Sequence, residues 1–233
     1  NNDKDTYSKL KPFVRKNFNI ERRANNRIKE LNFLFGNKGF KHLHETKEDI
    51  KYLDLGGGNG SLSKALGEHL NLKKENVVCA DVETWLENSF EEKKKFDSVT
   101  YVNINEHGNL PFVDLEFDLI TTFQVLHHVE YVEERISEIY RILKKGGFFV
   151  IREHNVDDMC TFMIADVEHS IYELTVGNND PDKFISSYRG YYKSRNSWIN
   201  TIEKFGFKYI NYAYQYDDTP RNASKIFYAM FQK

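Results

Sequence analysis

The fold is decided by the stretch Leu53-Asp54-Leu55-Gly56-Gly57-Gly58-Asn59-Gly60, in which a short apolar run passes directly into a glycine-rich turn. Residues 52–55 are typical of a buried strand, and the apolar spacing over residues 62–70 predicts a helix after the turn. In a sheet of parallel strands, such a turn lies at the carboxyl end of the first strand, where ligands bind. Glycine there accepts positive φ and lets backbone amides approach a ligand.

The alternation of strands and helices continues along the chain. Further strands are predicted at residues 76–80, 98–102, 117–122 and 148–152, with a helix at 132–143 that ends at Gly146-Gly147. Beyond them, the pattern predicts helices at 159–174 and 196–205 and closing strands at 209–216 and 225–231. We therefore expect the α/β class: a doubly wound, mostly parallel seven-stranded sheet with a C-terminal antiparallel hairpin.

Residues 1–49 differ from the rest in composition. The first 35 residues are rich in Lys, Arg and Asn, and apolar residues recur at helical spacing from Ile20 to Leu34. We expect a basic helical extension over residues 1–49 and the main domain over residues 50–233. The chain starts with Asn1 rather than Met, which favours a domain cut from a longer polypeptide.

Composition limits the classes of protein that this chain can be. Of its 233 residues, 40% are hydrophobic and 29% charged, so one large domain can bury a sizeable core. A formal net charge of −2 excludes a protein that binds polyanions over its whole surface, although a local basic patch stays open. Cys79 and Cys160 are too few for a disulfide scaffold and favour a reducing compartment. No apolar run is long enough to span a membrane, so no membrane contact is expected.

Two carboxylates near the glycine turn indicate which cofactor it binds. Asp81 ends the second predicted strand, 21 residues after Gly60, where a carboxylate can accept both hydroxyls of a ribose. A helix N-cap is the alternative role for Asp81. Asp54 lies within the first strand, where its charge opposes a pyrophosphate but suits an ammonium group. Together these residues favour S-adenosylmethionine over a dinucleotide.

Three segments together resemble the class I S-adenosylmethionine methyltransferases, which have a Rossmann-like fold. They are residues 53–60, Leu110-Pro111-Phe112 with Phe117-Asp118-Leu119-Ile120, and Arg141-Ile142-Leu143-Lys144-Lys145-Gly146-Gly147. The resemblance covers residues 50–152 and implies S-adenosylmethionine as the cofactor and S-adenosylhomocysteine as the product. The residues expected at the cofactor are Asp54, Gly56, Gly58, Gly60, Asp81, Asn103 and Gln124.

The region after the fourth strand lacks the signatures of several nucleic-acid methyltransferases. Residues 121–124 read Thr-Thr-Phe-Gln, unlike the Asn/Asp-Pro-Pro-Tyr segment of enzymes that act on exocyclic amines of bases. No Asp stands between Thr121 and His128, which disfavours the tetrad of 2′-O-methyltransferases. The chain has no Pro-Cys pair for cytosine-C5 chemistry.

Another set of segments resembles the mRNA cap guanine-N7 methyltransferases, in particular the methyltransferase domain of a viral capping enzyme of the African swine fever virus type. They are Asn25-Asn26-Arg27-Ile28-Lys29, Phe123-Gln124-Val125-Leu126-His127-His128 and the final run at residues 226–233. The resemblance implies that Lys29 contacts the cofactor carboxylate and that Asn26 faces the cap. We also expect His127 and Tyr228 to face the acceptor pocket together. The expected catalytic and substrate contacts are His127, Tyr228 and Glu168, with His128, Arg22 and Arg189 at the substrate.

The first hypothesis is therefore methyl transfer from S-adenosylmethionine to N7 of the guanine cap of mRNA. Its expected partners are capped RNA and other domains of the same capping polypeptide, in the cytoplasm of a host cell or in a virion. Guanine N7 carries a lone pair and loses no proton, so this reaction needs alignment rather than a catalytic dyad. Two alternatives stay open: a small-molecule methyltransferase, favoured by Leu126-His127-His128-Val129, and a non-catalytic methyltransferase-like subunit.

No metal is expected from the sequence. His154, Cys160 and His169 could converge, and His42 and His44 form a pair. None of these sets has the ligand spacing of a recognised zinc module.

Overall fold

Seven strands of the described residues form one sheet. The computed structural model describes residues 2–17, 19–36, 41–46, 49–82, 96–176, 180–215 and 222–233. Its strands are β1 (Tyr52–Leu55), β2 (Val77–Val82), β3 (Thr100–Ile104), β4 (Phe117–Phe123), β5 (Leu143–His154), β6 (Lys208–Tyr214) and β7 (Ile226–Gln232). They are ordered β3-β2-β1-β4-β5-β7-β6, and β7 is antiparallel to both of its neighbours. The predicted doubly wound α/β fold with its C-terminal hairpin is confirmed.

The helices include four that begin within one residue of where the sequence pattern predicts them, and two, at residues 41–46 and 181–187, that it does not predict. They are α1 (Asn2–Asn17), α2 (Ile20–Leu34), α3 (Lys41–Thr46), α4 (Ser61–His69), α5 (Val132–Ile142), α6 (Met159–Thr175), α7 (Pro181–Ser187) and α8 (Arg195–Glu203), with short 3₁₀ helices at Lys74–Asn76 and Leu126–His128. Side-chain caps define three of the starts, and at α2 Asn19 accepts a hydrogen bond from the Arg22 amide. Asp158 accepts a hydrogen bond from the Thr161 amide at α6, and Ser194 accepts one from the Ser197 amide at α8.

Two apolar layers pack on the sheet, one on each face. Strands β1 and β4 are buried along their whole length, as expected for parallel strands covered on both faces. One layer contains Leu126, Trp198 and Phe227. The other contains Leu31 and Tyr228 and is covered by α2 and α4. The predicted N-terminal extension and the main domain therefore share one apolar layer.

Strand β5 is longer than the sequence pattern predicts. The sequence pattern predicts a strand at 148–152 and a helix stop at Gly146-Gly147. In the structure β5 begins at Leu143, the register partner of Phe117, and it ends at His154. Its last two residues, Glu153 and His154, thereby reach the edge of the sheet where ligands bind. No helix among the residues described is long and apolar enough to cross a membrane.

Candidate active site

The glycine-rich turn after β1 is tightly packed, which explains its sequence. Gly56, Gly58 and Gly60 have φ values of 76°, 58° and 79°, a region that favours glycine. A Cβ on Gly56 would lie 2.3 Å from Cγ2 of Val125, and one on Gly60 would lie 2.5 Å from the hydroxyl of Tyr101. The turn leads directly into α4, so its amides lie at a helix N-terminus, which favours an electron-rich ligand.

Asp54 lies beneath the turn. Its carboxylate is buried, and its two oxygens accept hydrogen bonds from the hydroxyls of Ser63 and Thr121, each at 2.8 Å. A Cβ on Gly57 would lie 2.9 Å from Oδ2 of Asp54, so the carboxylate supports the turn from below. Burial raises the pKa of Asp54, and the two hydroxyls oppose that effect. Its pairing with the cofactor's ammonium group stays a prediction.

Asp81 joins the end of β2 to the glycine turn. Its Oδ2 accepts a hydrogen bond from the Gly58 amide and its Oδ1 accepts one from the Val82 amide, both at 2.7 Å. Burial raises the pKa of Asp81 to about 6, despite the opposing effect of these amides. Each oxygen keeps a second lone pair, so the carboxylate can still accept ribose hydroxyls. Asn103 is the register partner of Asp81 on β3 and is exposed.

Gln124 ties the ends of β4 and β5 together. It has a φ of 59°, and its side-chain oxygen accepts a hydrogen bond from the Arg152 guanidinium. Nδ1 of His154 donates to the Ser224 carbonyl at 2.9 Å, because a carbonyl can only accept. Nε2 of His154 therefore accepts from the Gln124 amide nitrogen at 3.0 Å. Gln124 thus has a structural role here, and its contact with the cofactor stays a prediction.

Four histidines meet beyond the carboxyl ends of β4 and β5. His127 and His128 belong to the 3₁₀ helix after β4, His154 ends β5, and His169 lies on α6. The ring centroid of His127 is 4.2 Å from that of His128, 4.6 Å from that of His169 and 5.5 Å from that of His154. His127 and His169 are buried, whereas His128 is exposed. We call these four residues the histidine cluster.

Glu153 holds the histidine cluster in place, and no sequence pattern pointed to it. Its Oε2 accepts a hydrogen bond from Nδ1 of His127, and its Oε1 accepts from the amides of Leu126 (2.8 Å) and Val125 (3.2 Å). Burial raises the pKa of Glu153 and lowers the pKa of His127. The available signal was an acidic residue beside His154, but the predicted strand stopped one residue short of it.

Two tyrosines form a wall of the histidine cluster. The ring of Tyr192 stacks on that of His127, with centroids 5.1 Å apart, and Tyr188 stacks on His169 at 6.0 Å. Their hydroxyl oxygens are 2.7 Å apart, and the Tyr192 hydroxyl lies 3.2 Å from Nδ1 of His169. The amide of Tyr191 donates to the carbonyl of His127 at 2.7 Å, which fixes this loop to the end of β4. Flat aromatic faces therefore border the polar groups.

The expected juxtaposition of Tyr228 with His127 does not occur. In the β5–β7 register, Tyr228 pairs with Arg152 and Phe227 pairs with Glu153. Successive residues of a strand point to opposite faces, so Tyr228 lies on the face opposite to Glu153 and His127. Tyr228 is fully buried, with its ring packed edge-on against Phe123 at 5.5 Å. It is part of the apolar layer beneath α2.

The residues of α2 that were expected at the site have different environments. Lys29 is exposed and Asn26 is partly buried. Arg27, between them, is turned toward the sheet: burial, together with the smaller effect of the nearby Arg152, lowers the pKa of Arg27 to about 10. Arg27 interacts electrostatically with the buried side chains of Asp54 and Tyr228.

The remaining predicted substrate contacts lie on the surface. Arg22, Arg189 and Glu168 are exposed, and Arg189 donates to the Tyr188 carbonyl at 2.6 Å. No geometric relation in the described residues joins Arg22 to the histidine cluster. Roles for these three residues stay predictions.

The described residues do contain one group suited to a metal ion. One nitrogen from each of His127, His128 and His169 lies within 4.8 Å of the other two. Cys160, considered with His169 in the sequence, is exposed and is not part of this group. The side chains of His42 and His44 fall outside the described part of the chain.

Comparison with known proteins agrees with this geometry. Residues 53–151 match the family model of a methyltransferase domain. The ubiquinone/menaquinone biosynthesis C-methyltransferase UbiE of Rickettsia prowazekii is 23% identical over 172 residues, which cover 69% of this chain and 69% of that protein. The UbiE of Shewanella sediminis is 34% identical over 129 residues, which cover 54% of this chain and 48% of that protein.

A solved structure carries the same fold. It is a SAM-dependent methyltransferase of Thermotoga maritima, described as a possible histamine N-methyltransferase, with a TM-score of 0.57 and 16% identity. The match covers 96% of this chain and 98% of that one. Identity this low supports the fold alone. This chain therefore has the fold of the class I S-adenosylmethionine-dependent methyltransferases, and its residues 53–151 are similar to a methyltransferase domain.

Proposed function

We propose that this protein methylates a small, oxygen-bearing aromatic molecule, at a ring carbon or at the oxygen. The observation that carries the proposal is the pairing of Glu153 with His127 in the histidine cluster, bordered by the faces of Tyr188 and Tyr192. The relatives named above are C-methyltransferases of quinone biosynthesis, which agrees with an acceptor of this class.

The chemistry of the acceptor separates this proposal from the cap hypothesis. Guanine N7 already presents a lone pair, so its methylation requires only alignment. A phenol, or a ring carbon beside a phenolic oxygen, must lose one proton as the new bond forms. Burying several imidazoles and a carboxylate together is costly unless they are hydrogen-bonded or serve a function. Methylation of guanine N7 does not need such a cluster, whereas methylation of an acceptor that loses a proton can use it.

The reaction can be described in terms of this chain's own groups. Asp81 and the amides of the glycine turn would hold the nucleoside of S-adenosylmethionine, and the cluster would orient the acceptor oxygen. The electron pair of the acceptor forms the bond to the methyl carbon. The sulfur–methyl bond breaks, and its electron pair returns to sulfur to leave S-adenosylhomocysteine. The acceptor proton is released to solvent at the exposed side of the cluster, where His128 lies.

The location of α2 also favours the small acceptor. Cap recognition as inferred from the sequence requires Asn26 and His127 to face one ligand. Helix α2 covers the layer that contains Tyr228, whereas Glu153 and His127 lie toward the face of Phe227. Cap methylation is nevertheless the second candidate, because exposed Lys16 and Arg22 on α1 and α2 could contact an RNA backbone.

A direct assay distinguishes the two candidates. The full chain is incubated with methyl-labelled S-adenosylmethionine and either naphthohydroquinone, catechol or GpppRNA, and labelled products are identified by mass spectrometry. We expect transfer to the ring compounds and none to the cap. Label found only at guanine N7 would replace this proposal with the cap reaction.

A further inference from the structure

Half of the chain's eight histidines meet in the histidine cluster, and two of them face each other through nitrogen atoms. Nε2 of His127 lies 2.9 Å from Nε2 of His169. Two ring nitrogens at this separation repel unless a proton or a cation lies between them. The hydrogen bonds at the opposite nitrogen of each ring show whether a proton or a cation lies between the two Nε2 atoms.

The tautomer of His169 follows from its surroundings. Its Nδ1 lies 2.8 Å from the Ala165 carbonyl, which can only accept, so this nitrogen carries the hydrogen. In the neutral ring, Nε2 is then a bare lone pair. On the other side, Nδ1 of His127 contacts Glu153, whose second oxygen already accepts the Leu126 amide. An ionised Glu153 makes Nδ1 of His127 a donor and leaves its Nε2 a second lone pair directed at the first.

We propose that His127, His128 and His169 bind a divalent transition-metal ion, with Zn²⁺ as the matching probe. Two inward-facing lone pairs, each fixed by a hydrogen bond on the opposite ring nitrogen, are the arrangement that metal-binding histidines use. Glu153 accepts the hydrogen bond from Nδ1 of His127, and the Ala165 carbonyl accepts the one from Nδ1 of His169. Imidazole ligands suit Zn²⁺ and its neighbours in the transition series rather than Ca²⁺ or Mg²⁺.

The spacing requires only small adjustments. Two nitrogens at about 2.1 Å from a tetrahedral Zn²⁺ stand roughly 3.4 Å apart. His127 and His169 would separate by about half an ångström from their 2.9 Å contact. His128, whose nitrogen lies within 4.8 Å of the others, would swing inward. Because His128 is exposed, it can make this movement and marks the access route for the ion.

Three imidazoles leave the fourth tetrahedral position open, as in catalytic rather than structural zinc sites. An oxygen of the acceptor would suit that position, and this role rests on the proposed function. Binding of the ion does not, because all three ligands come from the chain itself. The metal site is therefore testable without cofactor or acceptor.

The test is titration of the chelator-treated full chain with Zn²⁺ by calorimetry, and with Co²⁺ by visible absorption. We expect one Zn²⁺ per chain and a Co²⁺ spectrum typical of four-coordinate nitrogen ligation. His128→Ala should weaken Zn²⁺ binding by at least about tenfold, and Glu153→Gln by about 10- to 100-fold. His107→Ala is the matched control, because His107 is exposed and outside the cluster; it should bind like the wild type.

The exposed position of His128 keeps the test independent of folding. His169→Ala removes a buried ligand, so its far-ultraviolet circular dichroism is compared with that of the wild type before its binding is interpreted. Failure of the wild-type chain to take up stoichiometric Zn²⁺ would overturn the proposal. Equal binding by the His128→Ala and His107→Ala variants would overturn it too, because it would show adventitious surface binding. Zn²⁺ binding without methyl transfer to ring compounds would leave the site standing and refute the proposed function.

Discussion

At the scale of single residues, Asp81 has a structural role in the glycine turn, and cofactor binding is its predicted second role. Its carboxylate oxygens accept the amides of Gly58 and Val82, so the glycine turn depends on this side chain even before a ligand binds. Its raised pKa, about 6 against about 3.9 in an unfolded chain, means that folding favours the neutral form. By itself this group stabilises the fold below about pH 4 and loses that contribution as pH rises through about 6.

Cofactor binding should show the opposite dependence on pH. The ionised carboxylate accepts ribose hydroxyls best, so we expect affinity for S-adenosylmethionine to rise as pH increases through about 6. Asp81→Asn should remove this dependence, and Asp81→Ala should weaken binding by ~1.5–3 kcal/mol. Calorimetric titrations between about pH 5 and 8 measure both effects. An unchanged pH profile in Asp81→Asn would exclude this carboxylate as the titrating group.

Gly56 offers a second test at residue scale, with Gly108 as its control. Both have positive φ, 76° and 83°, but a Cβ on Gly56 meets Val125 whereas one on Gly108 meets nothing within 4 Å. Gly108→Ala should lose about 1–2 kcal/mol of unfolding free energy from backbone strain alone. Gly56→Ala should lose about 1–3 kcal/mol more through the clash. Urea unfolding measures the loss of unfolding free energy in each variant. Equal losses would mean that Val125 moves aside to accommodate the new Cβ.

At the scale of elements, α2 presents different cations to different surroundings. Arg27 is turned toward the sheet near Asp54 and Arg152, while Lys29 is exposed. Helical spacing alone does not distinguish Arg27 from Lys29 as the cation nearer the sheet. Sequence periodicity places both residues on one helix but does not show how far a long side chain bends inward. The residue expected to hold the cofactor carboxylate was Lys29, and the packing favours Arg27.

Substitution of both cations compares them directly. Arg27→Gln should raise the dissociation constant for S-adenosylmethionine about tenfold or more, the loss expected for a charge-assisted hydrogen bond. Lys29→Gln on the same helix should leave it close to wild type, because Lys29 is solvated. Calorimetry at fixed salt measures both constants. Weaker binding in Lys29→Gln alone would restore the assignment made from the sequence.

Strand β7 supplies the second element-scale prediction. The Tyr228 hydroxyl is buried, and the nearby Glu30 carboxyl of α2 interacts with it without good hydrogen-bond geometry, so Tyr228→Phe should change stability by no more than about 1 kcal/mol. Tyr228→Ala should lose about 3–5 kcal/mol, because it empties a packed site beside Phe123. Thermal unfolding and turnover are both measured. A folded Tyr228→Phe variant with strongly reduced turnover would place the phenol at the acceptor after all.

At the scale of the whole molecule, the N-terminal segment is continuous with the core. Leu31 and Leu34 of α2 and Leu43 of α3 are almost completely buried, in the layer that also holds Tyr52 and Leu66. Each such leucine contributes about 1.5–3 kcal/mol. Their sum is comparable with the whole stability of a typical domain, about 5–15 kcal/mol.

Truncation tests the predicted boundary between residues 49 and 50. We expect a chain of residues 50–233 to lose cooperative thermal unfolding, because the apolar face beneath α2 becomes exposed. Removal of residues 1–18 alone, which deletes α1 but leaves Leu31 in place, should cost much less. Differential scanning calorimetry compares the three chains. A truncated chain 50–233 with the unfolding temperature of the full protein would show that the extension folds separately.

The strands, most helix starts and the glycine turn were predictable because each depends on short-range properties. A short, largely apolar run marks β4 as a buried strand, and positive φ at Gly56 and Gly60 follows from sterics within a few residues. The resemblance to the class I methyltransferase fold followed from the same stretch. The end of β5 was not predictable, because its length depends on pairing with Phe117 and with Ile226 on another strand.

The sequence by itself therefore determined the order of the elements and the predicted place of cofactor binding, because both depend on residues that are close together in the chain. Only the tertiary structure decided which groups come together in the histidine cluster. Glu153, His127 and His169 come from β5, the loop after β4 and α6, and they become neighbours through strand register and helix packing. The same register places Tyr228 on the opposite face, because one residue along a strand reverses the direction of its side chain.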